Sequence, residues 1–514
     1  MRGASIVAGS FGLCALAAAC AAGESGAGGL NPGSGDASAE GGAVSELDGA
    51  VGSDDGGVAD VPETSTVSPG NGPAIYVSTS GIDTAAGTSP TSPVRTVQKG
   101  LDLAQQCPGA PCSVLVAGGS YSGSVQLRDG VNLYGGYASD FSARNQPNVV
   151  TTIGSTDPHT LVANGLTKST TIDGVTIMGA WLPTSDGTSS YAVYVLGCKG
   201  AVFLSNSTIH GGAGAAGTPG AAGSSQDCTA AGGAGGVADD CDSNTGATGS
   251  AAGDPVNAGI GGNGGSNNCP DACPLVNSDG ISGGIDGNSG GSGADGAGGA
   301  GGTNPFGTFN GGDWIGDVGQ PGVRGSHGTG GGGGGSGGTK RFRACFGCGT
   351  LLGGAGAAGG AGGCGGGGGA PGGAGGGSFA LVTDSNVTLD HVTVVAGTGG
   401  AGGAGGDGVA GAIGSPGAQD AGTGGQQKCG LITYESGAGG QGGYGGGGGR
   451  GGGGAGGMGG PSIGAVTLGK GQLTQYAVTL TPGTGGAGGP GGAGGNGGAG
   501  APGAIGGVQA QYAF

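Results

Sequence analysis

The chain has 514 residues, of which 150 are glycine, with 4% aromatic and 9% charged residues and a formal net charge of −18. Large apolar side chains are too scarce for a conventional core along the whole length, and the low charge argues against ordinary charged disorder. A net acidic balance excludes nucleic acid and anionic membrane surfaces as partners.

The N-terminal "MRGASIVAGSFGLCALAAAC" has one basic residue, Arg2, then a short apolar stretch and small residues. It reads as a signal peptide over 1–19, too short and too glycine-rich to span a bilayer. Its ending "LAAAC" resembles a bacterial lipobox, with Ala17 where leucine usually stands and Leu16 one place earlier. The resemblance implies lipidation of Cys20 and a membrane anchor, and Ala21 after it favours the outer membrane by similarity to Gram-negative sorting rules. Secretion after cleavage of a plain signal is the alternative. Residues 20–73 follow as an acidic Gly/Ser-rich tether. Glu24, Asp36, Glu40, Glu46, Asp48, Asp54, Asp55, Asp60 and Glu63 lie in it with no Lys or Arg, a composition that repels itself and extends.

From 74 to 210 short β-type runs dominate, among them "AIYVST", "SVLVAGG", "SVQLRD", "VNLYGGY", "TTIDGVTIMGA", "YAVYVLG" and "AVFLSNSTI". They are rich in Val, Ile, Leu, Tyr and Thr and bounded by Gly, Asp or Asn. Only "VRTVQKGLDLAQQ" (94–106) reads as helix, too little for βαβ units. Three later segments align with one another: 191–214, 378–400 and 462–486. Each has a strand, a turn, a second strand in β-branched alternation, and then a glycine tract. A unit of this size cannot bury its apolar face alone, whereas stacked coils can, so the pattern predicts a solenoid.

"SPVRTVQKGLDLA" followed by "VLVAGGSYSGSVQLRDGVNLYGGYASDF" resembles the N-terminal cap and first coils of the pectin-lyase-like superfamily. The resemblance implies an all-β fold, a right-handed parallel β-helix. The organisation is then a β-helix with its N-terminal cap (74–210), a Gly-rich disulfide-containing insertion (211–377), a coil (378–397), a second Gly-rich insertion (398–461), a coil (462–482), a Gly-rich tract (483–507) and a C-terminal strand (508–514).

Within the tracts glycine recurs at every third place: Gly399 to Gly417, Gly439 to Gly460 and Gly485 to Gly506 are unbroken registers. Three is the repeat of the polyproline-II helix, and a glycine ridge lets backbones approach closely enough to hydrogen-bond. Collagen fits poorly, with few prolines and broken registers. A calcium β-roll would need tandem nonapeptides, whereas "GGAGGDGVA" (402–410) and the near match "GGSGADGAG" (290–298) stand alone. Plain disorder is the competing reading. The ordered reading is a polyglycine-II/polyproline-II-like bundle launched from the same point of successive coils. Springtail antifreeze proteins are similar in period and disulfides, and mycobacterial PGRS domains in composition.

Of 13 cysteines, 11 remain after Cys14 and Cys20, and export makes disulfides their default state. Cys107 and Cys112 flank a Pro-Gly turn and suit a local bridge. Cys228, Cys241, Cys269, Cys273, Cys345, Cys348, Cys364 and Cys429 are candidates to staple the tracts. The spacings "CFGC" and "CPDAC" lack the companion pairs and histidines of a zinc site. No metal or cofactor is expected. The basic cluster Lys340, Arg341 and Arg343 reads as a solvated loop.

No nucleotide-binding or hydrolase elbow motif has its required strand–helix context. Pectin-lyase-like enzymes place acids and Lys or Arg on one face of successive coils. That resemblance singles out Asp173, Asp390, His391 and His210, with Ser205 and Asn206 interrupting the row and no basic residue nearby in sequence. The expected function is a lipid-anchored bacterial surface protein with a structural or adhesive role, meeting a surface glycan or protein ligand. The alternatives are a carbohydrate-binding or carbohydrate-active β-helix, and ice binding by a flat glycine bundle.

Overall fold

The computed structural model describes residues 72–108, 112–146, 148–225, 228, 231–238, 263, 267, 282–344, 347–496 and 498–514. The signal, Cys20, nearly all of the tether and the candidate staples Cys241, Cys269, Cys273 and Cys345 lie outside them. So does the side chain of Cys348. Among the described residues no helix is long and apolar enough to cross a membrane.

Three parallel sheets of seven, six and six strands run along one solenoid, a parallel β-helix. A full coil visits each sheet once. One coil runs through Thr170–Asp173, Thr176–Met178 and Ser190–Leu196, and the next begins with Val202–Ser205 and Thr208–His210. Its third strand is Ser378–Thr383, beyond the first insertion, and it pairs in register with Ser190–Leu196. Alternation places Ile172, Ile177, Val193, Leu204, Ile209, Leu381, Leu389 and Val394 inward, all buried to within 1%. Each aliphatic residue stacks on its counterpart one coil away, as Ile172, Leu204 and Leu389 do. The helix Val97–Gln105 covers the N-terminal end with Val97, Leu101 and Ala104. Its Gly100 is obligatory, because a Cβ there would lie 2.5 Å from Val77 Cγ2.

The reading of two strands per unit is corrected to three. What looks like one β-branched run, such as 201–210, bends midway. Gly174, Asn206, His391 and Ala477 stand at equivalent corners with φ of +69°, +46°, +53° and +48°. This left-handed step turns the chain from one sheet into the next, and Gly and Asn adopt it most readily.

All three glycine excursions leave at the corner after the second strand of a coil and return at the start of the third. They are ordered by backbone hydrogen bonds. The tract 436–461 donates from Gly439, Gly442, Gly445, Gly448, Gly451, Gly454, Gly457 and Gly460 to the tract 397–424. A second phase donates to 320–338, and in its last stretch a third donates to 498–507. It accepts N–H groups from 284–299, from 354–375 and from 486–495. Over 451–461 the tract therefore has neighbours on all sides, and a Cβ on Gly452, Gly453 or Gly454 would lie 1.9, 2.0 or 2.1 Å from a neighbour's carbonyl oxygen. Among the described residues no glycine in the hydrogen-bonded tracts has a left-handed φ. The tracts use glycine for its missing Cβ and not for backbone freedom.

Side chains interrupt the central tract where a neighbour ends. In the phase facing 320–338, glycine gives way to Ala455 and Met458 just as that tract stops at Gln320, and Met458 fills the space beside Trp314 and Phe379. In the phase facing 498–507, the stretch beyond that tract carries the exposed Gln441, Tyr444 and Arg450. Here Asp286 and Asp295 accept the Gln441 and Arg450 N–H groups at 2.6 and 2.7 Å.

Disulfides join Cys107 to Cys112 and Cys228 to Cys364. The expectation of a staple at Cys429 is corrected: its thiol is free. It ends a strand of the hairpin Gln426–Cys429/Ile432–Glu435, where the residue opposite is Ile432. Cys198 is also free and half-buried.

Candidate functional site

Outward-pointing residues of the seven-stranded sheet form columns along the solenoid. One column reads Tyr134, Asp173, Ser205, Asp390, Tyr476, and its neighbour reads Thr171, Phe203, Thr388, Thr474. A shallow groove of about 390 Å³ runs between them, lined by Thr171, Phe203, Ser205, Thr388, Asp390 and Tyr476. Phe203 and Tyr476 are 38% and 59% exposed and border one groove. They stand two strands and two residues apart, roughly 12 Å at the usual strand spacing and rise.

The groove contains one available carboxylate. Asp390 is about one-third exposed, and its Oδ1 lies 2.8 Å from Nδ1 of His391. His391 is the corner residue of this coil, with φ +53°. Asp173, the other acid in the column, is fully buried and already engaged. It accepts from Arg144 Nη2, Gln146 Nε2, Ser205 Oγ and, at 2.9 Å, Asn206 Nδ2. Arg144 also donates Nε–H to the Gly135 carbonyl at 2.8 Å and lies over the Tyr134 and Tyr137 rings. A buried charge matched this closely is an architectural ion pair, and breaking it would strand its partner.

Asp173, Asp390 and His391 thus share one sheet, as the aligned coils imply, with different roles. His210 is on another sheet, in Thr208–His210, paired with Met178 and Val395, and does not reach the groove. The basic partner that seemed missing from the sequence is Arg144, brought to Asp173 by the excursion between Leu133–Tyr137 and Thr151–Gly154. Sequence reasoning found Asp390 but missed Phe203 and Tyr476, whose signal is an aromatic residue at an outward position in each of the two adjacent columns.

The acids of the isolated nonapeptides are occupied too. Asp407 Oδ1 accepts the Ala493 N–H at 2.6 Å, and Asp295 Oδ2 accepts that of Asn496 at 2.9 Å. His327 lies near Cys228 and Cys364, but the two sulfurs form a disulfide and His327 Nδ1 accepts the Gly365 N–H at 3.1 Å. As bonded, this cluster presents no thiolate for a metal.

A hairpin within the first insertion, Thr308–Asn310 and Asp313–Ile315, covers part of the neighbouring six-stranded sheet. Trp314 and Phe309 pack there on Tyr191 and Phe379. His159 stacks on Tyr191 with ring centroids 4.6 Å apart, and its Nε2 lies 3.8 Å from the hairpin's Asp313. Burial pushes the His159 pKa below its ordinary value, partly opposed by Asp313.

No family model matches the chain, and no curated protein matches it. Among solved structures it is similar to a rhamnogalacturonan lyase, with 16% identity, 28% of this chain and 40% of that chain covered, and a TM-score of 0.21. It is also similar to a pectate lyase, with 11% identity, 27% and 53% covered, and a TM-score of 0.14. The chain therefore spans about half the length of these proteins or less, and the β-helix assignment rests on the strand pairing described above.

Proposed function

We propose that the protein is exported, held at the cell surface through a lipid on Cys20, and binds carbohydrate non-catalytically along the outward face of its seven-stranded sheet. The observation that carries the binding reading is the groove itself. Two exposed rings, Phe203 and Tyr476, flank the Asp390 carboxylate, with Thr171 and Thr388 between coils. Aromatic faces stack on the C–H faces of sugars, while hydroxyl and carboxylate groups fix orientation. Two-carboxylate hydrolysis needs a second acid with a free oxygen, and Asp173 has its oxygens taken by four donors. The glycine bundle projecting from the same coils then serves as a rigid, weakly charged extension of the surface protein.

The test is a glycan array followed by calorimetry on the full mature chain. Phe203→Ala and Tyr476→Ala should each weaken binding of the best oligosaccharide by about tenfold, as anchors at a binding hot spot do. An array without a reproducible hit, or hits indifferent to both substitutions, would sink the reading. For the anchor, radiolabelled palmitate should enter the wild-type protein and not Cys20→Ala; an unlabelled wild type removes the lipid from the proposal.

A further inference from the structure

The electrostatics of the groove separate ligand classes, and we infer that it selects amino sugars over the uronic acids that a pectin-lyase-like fold would suggest. This inference rests on the carbohydrate reading of the same groove. Three features act in the same direction. Asp390 is the sole carboxylate lining the groove and no Lys or Arg lines it. Of its two oxygens, Oδ1 faces His391. Phe203 and Tyr476 add two exposed aromatic rings, on whose faces a cation is attracted electrostatically.

The neighbouring cations do not reverse this. Arg144 is committed to Asp173 and to the Gly135 carbonyl. Lys168, Lys199 and Lys470 precede the strands Thr170–Asp173, Val202–Ser205 and Gln472–Tyr476, whereas Asp173, Ser205 and Tyr476 end them. The lysines therefore stand at the opposite end of the sheet from Asp390. The formal charge of −18 also enriches cations and depletes polyuronates near the protein. A uronate sugar in this groove would bring its carboxylate towards Asp390 and two aromatic rings, and the nearby imidazole of His391 is already engaged with Asp390 Oδ1. A protonated glucosamine unit would donate N–H to Asp390 beside a ring, a charge-assisted contact.

The discriminating experiment is calorimetry of the full mature chain at pH 6 against three oligomer series: glucosamine, N-acetylglucosamine and galacturonate. Glucosamine oligomers should bind at least about tenfold more tightly than the acetylated series, with galacturonate weakest. Asp390→Asn, which keeps the side-chain shape, should erase most of that tenfold and leave the acetylated series within about twofold. Raised salt should weaken glucosamine binding selectively. Galacturonate binding as tightly as glucosamine, or Asp390→Asn leaving the preference intact, overturns the inference while the carbohydrate reading stands. Failure of all three series, together with an array without hits, overturns the carbohydrate reading and this inference with it.

Discussion

The β-helix base and the glycine bundle are continuous in one chain, yet they are held by different physics. In the base, order comes from stacked aliphatic side chains such as Ile172, Leu204 and Leu389, inward on successive coils and shielded from water. In the bundle nearly every contact is backbone to backbone, and the packing unit is the absence of a side chain. The difference teaches that glycine richness is not a single signal. At Gly469 or Gly430 a positive φ favours glycine; at Gly454 the carbonyl of a neighbouring tract demands it. The base also supplies what the bundle cannot make for itself. Separate glycine chains would have to lose both conformational and positional freedom to align, and the stacked coils start their tracts already side by side.

If this contrast is right, the largest effect of a single substitution should come from adding a small side chain to the bundle. Gly454→Val places carbon atoms where the Ala370 carbonyl stands 2.1 Å from a Cβ. It should destabilise the bundle by more than about 3 kcal/mol through overpacking and lost hydrogen bonds. Ala487→Ser on the bundle surface should stay within about 0.5 kcal/mol. Hydrogen exchange resolves the two regions: tract amides should lose protection in Gly454→Val while base amides keep theirs. Equal loss in both would show that the regions unfold as one unit.

In the base the matching harm comes from removing an inward side chain. Leu204→Ala should cost about 3 kcal/mol by opening a cavity between coils, measured by denaturant unfolding. Next in size is the covalent tie. The Cys228–Cys364 bridge spans 136 residues of sequence and joins two tracts. Replacing both cysteines with serine should cost about 2–4 kcal/mol, seen as earlier exchange of amides in 354–375. Protection unchanged from wild type would mean that backbone bonds alone fix those tracts.

Smaller effects sit at a corner inside the last coil and at the hairpin docked on the base. Ala477 holds a corner at φ +48° that glycine takes without strain. Ala477→Gly should stabilise the last coil by about 0.5–1 kcal/mol, whereas the same exchange at a normal φ destabilises. The smallest effect is a pH slope at the docked hairpin. His159 has a pKa lowered below 6.5 by burial, so between that lowered value and 6.5 the unfolded chain binds more protons than the folded one. Stability should therefore be full above pH 6.5 and decline as pH falls below it. His159→Gln should flatten this part of the profile in a thermal-melt series, and a slope of unchanged size would assign it to other groups.

Much of the base was legible from residues. Runs such as "AVFLSNSTI" carry strand composition, and the aligned segments 191–214, 378–400 and 462–486 do stack as successive coils with shared register. The corner inside each run was not legible, because Asn206, His391 and Ala477 share a conformation and not a residue type. The candidate site was half visible. Alignment put Asp173 and Asp390 in one column, but their different fates depend on Arg144 and Gln146, which lie outside the repeat and reach only Asp173. The rings that mark the groove sit in coils separated by two insertions, and nothing in local sequence couples Phe203 to Tyr476.

The sequence by itself determined the β-helix, through β-branched alternation that only stacked coils can bury. It also determined the three-residue glycine register, because a repeat of three is written into the chain. The tertiary structure decided which glycines are indispensable, because that depends on how many neighbours surround a tract: 451–461 is enclosed, and larger side chains appear in 436–461 where a neighbour is missing. It also decided that Asp390 faces the groove while Asp173 is locked away, since side-chain availability is set by what folds over it.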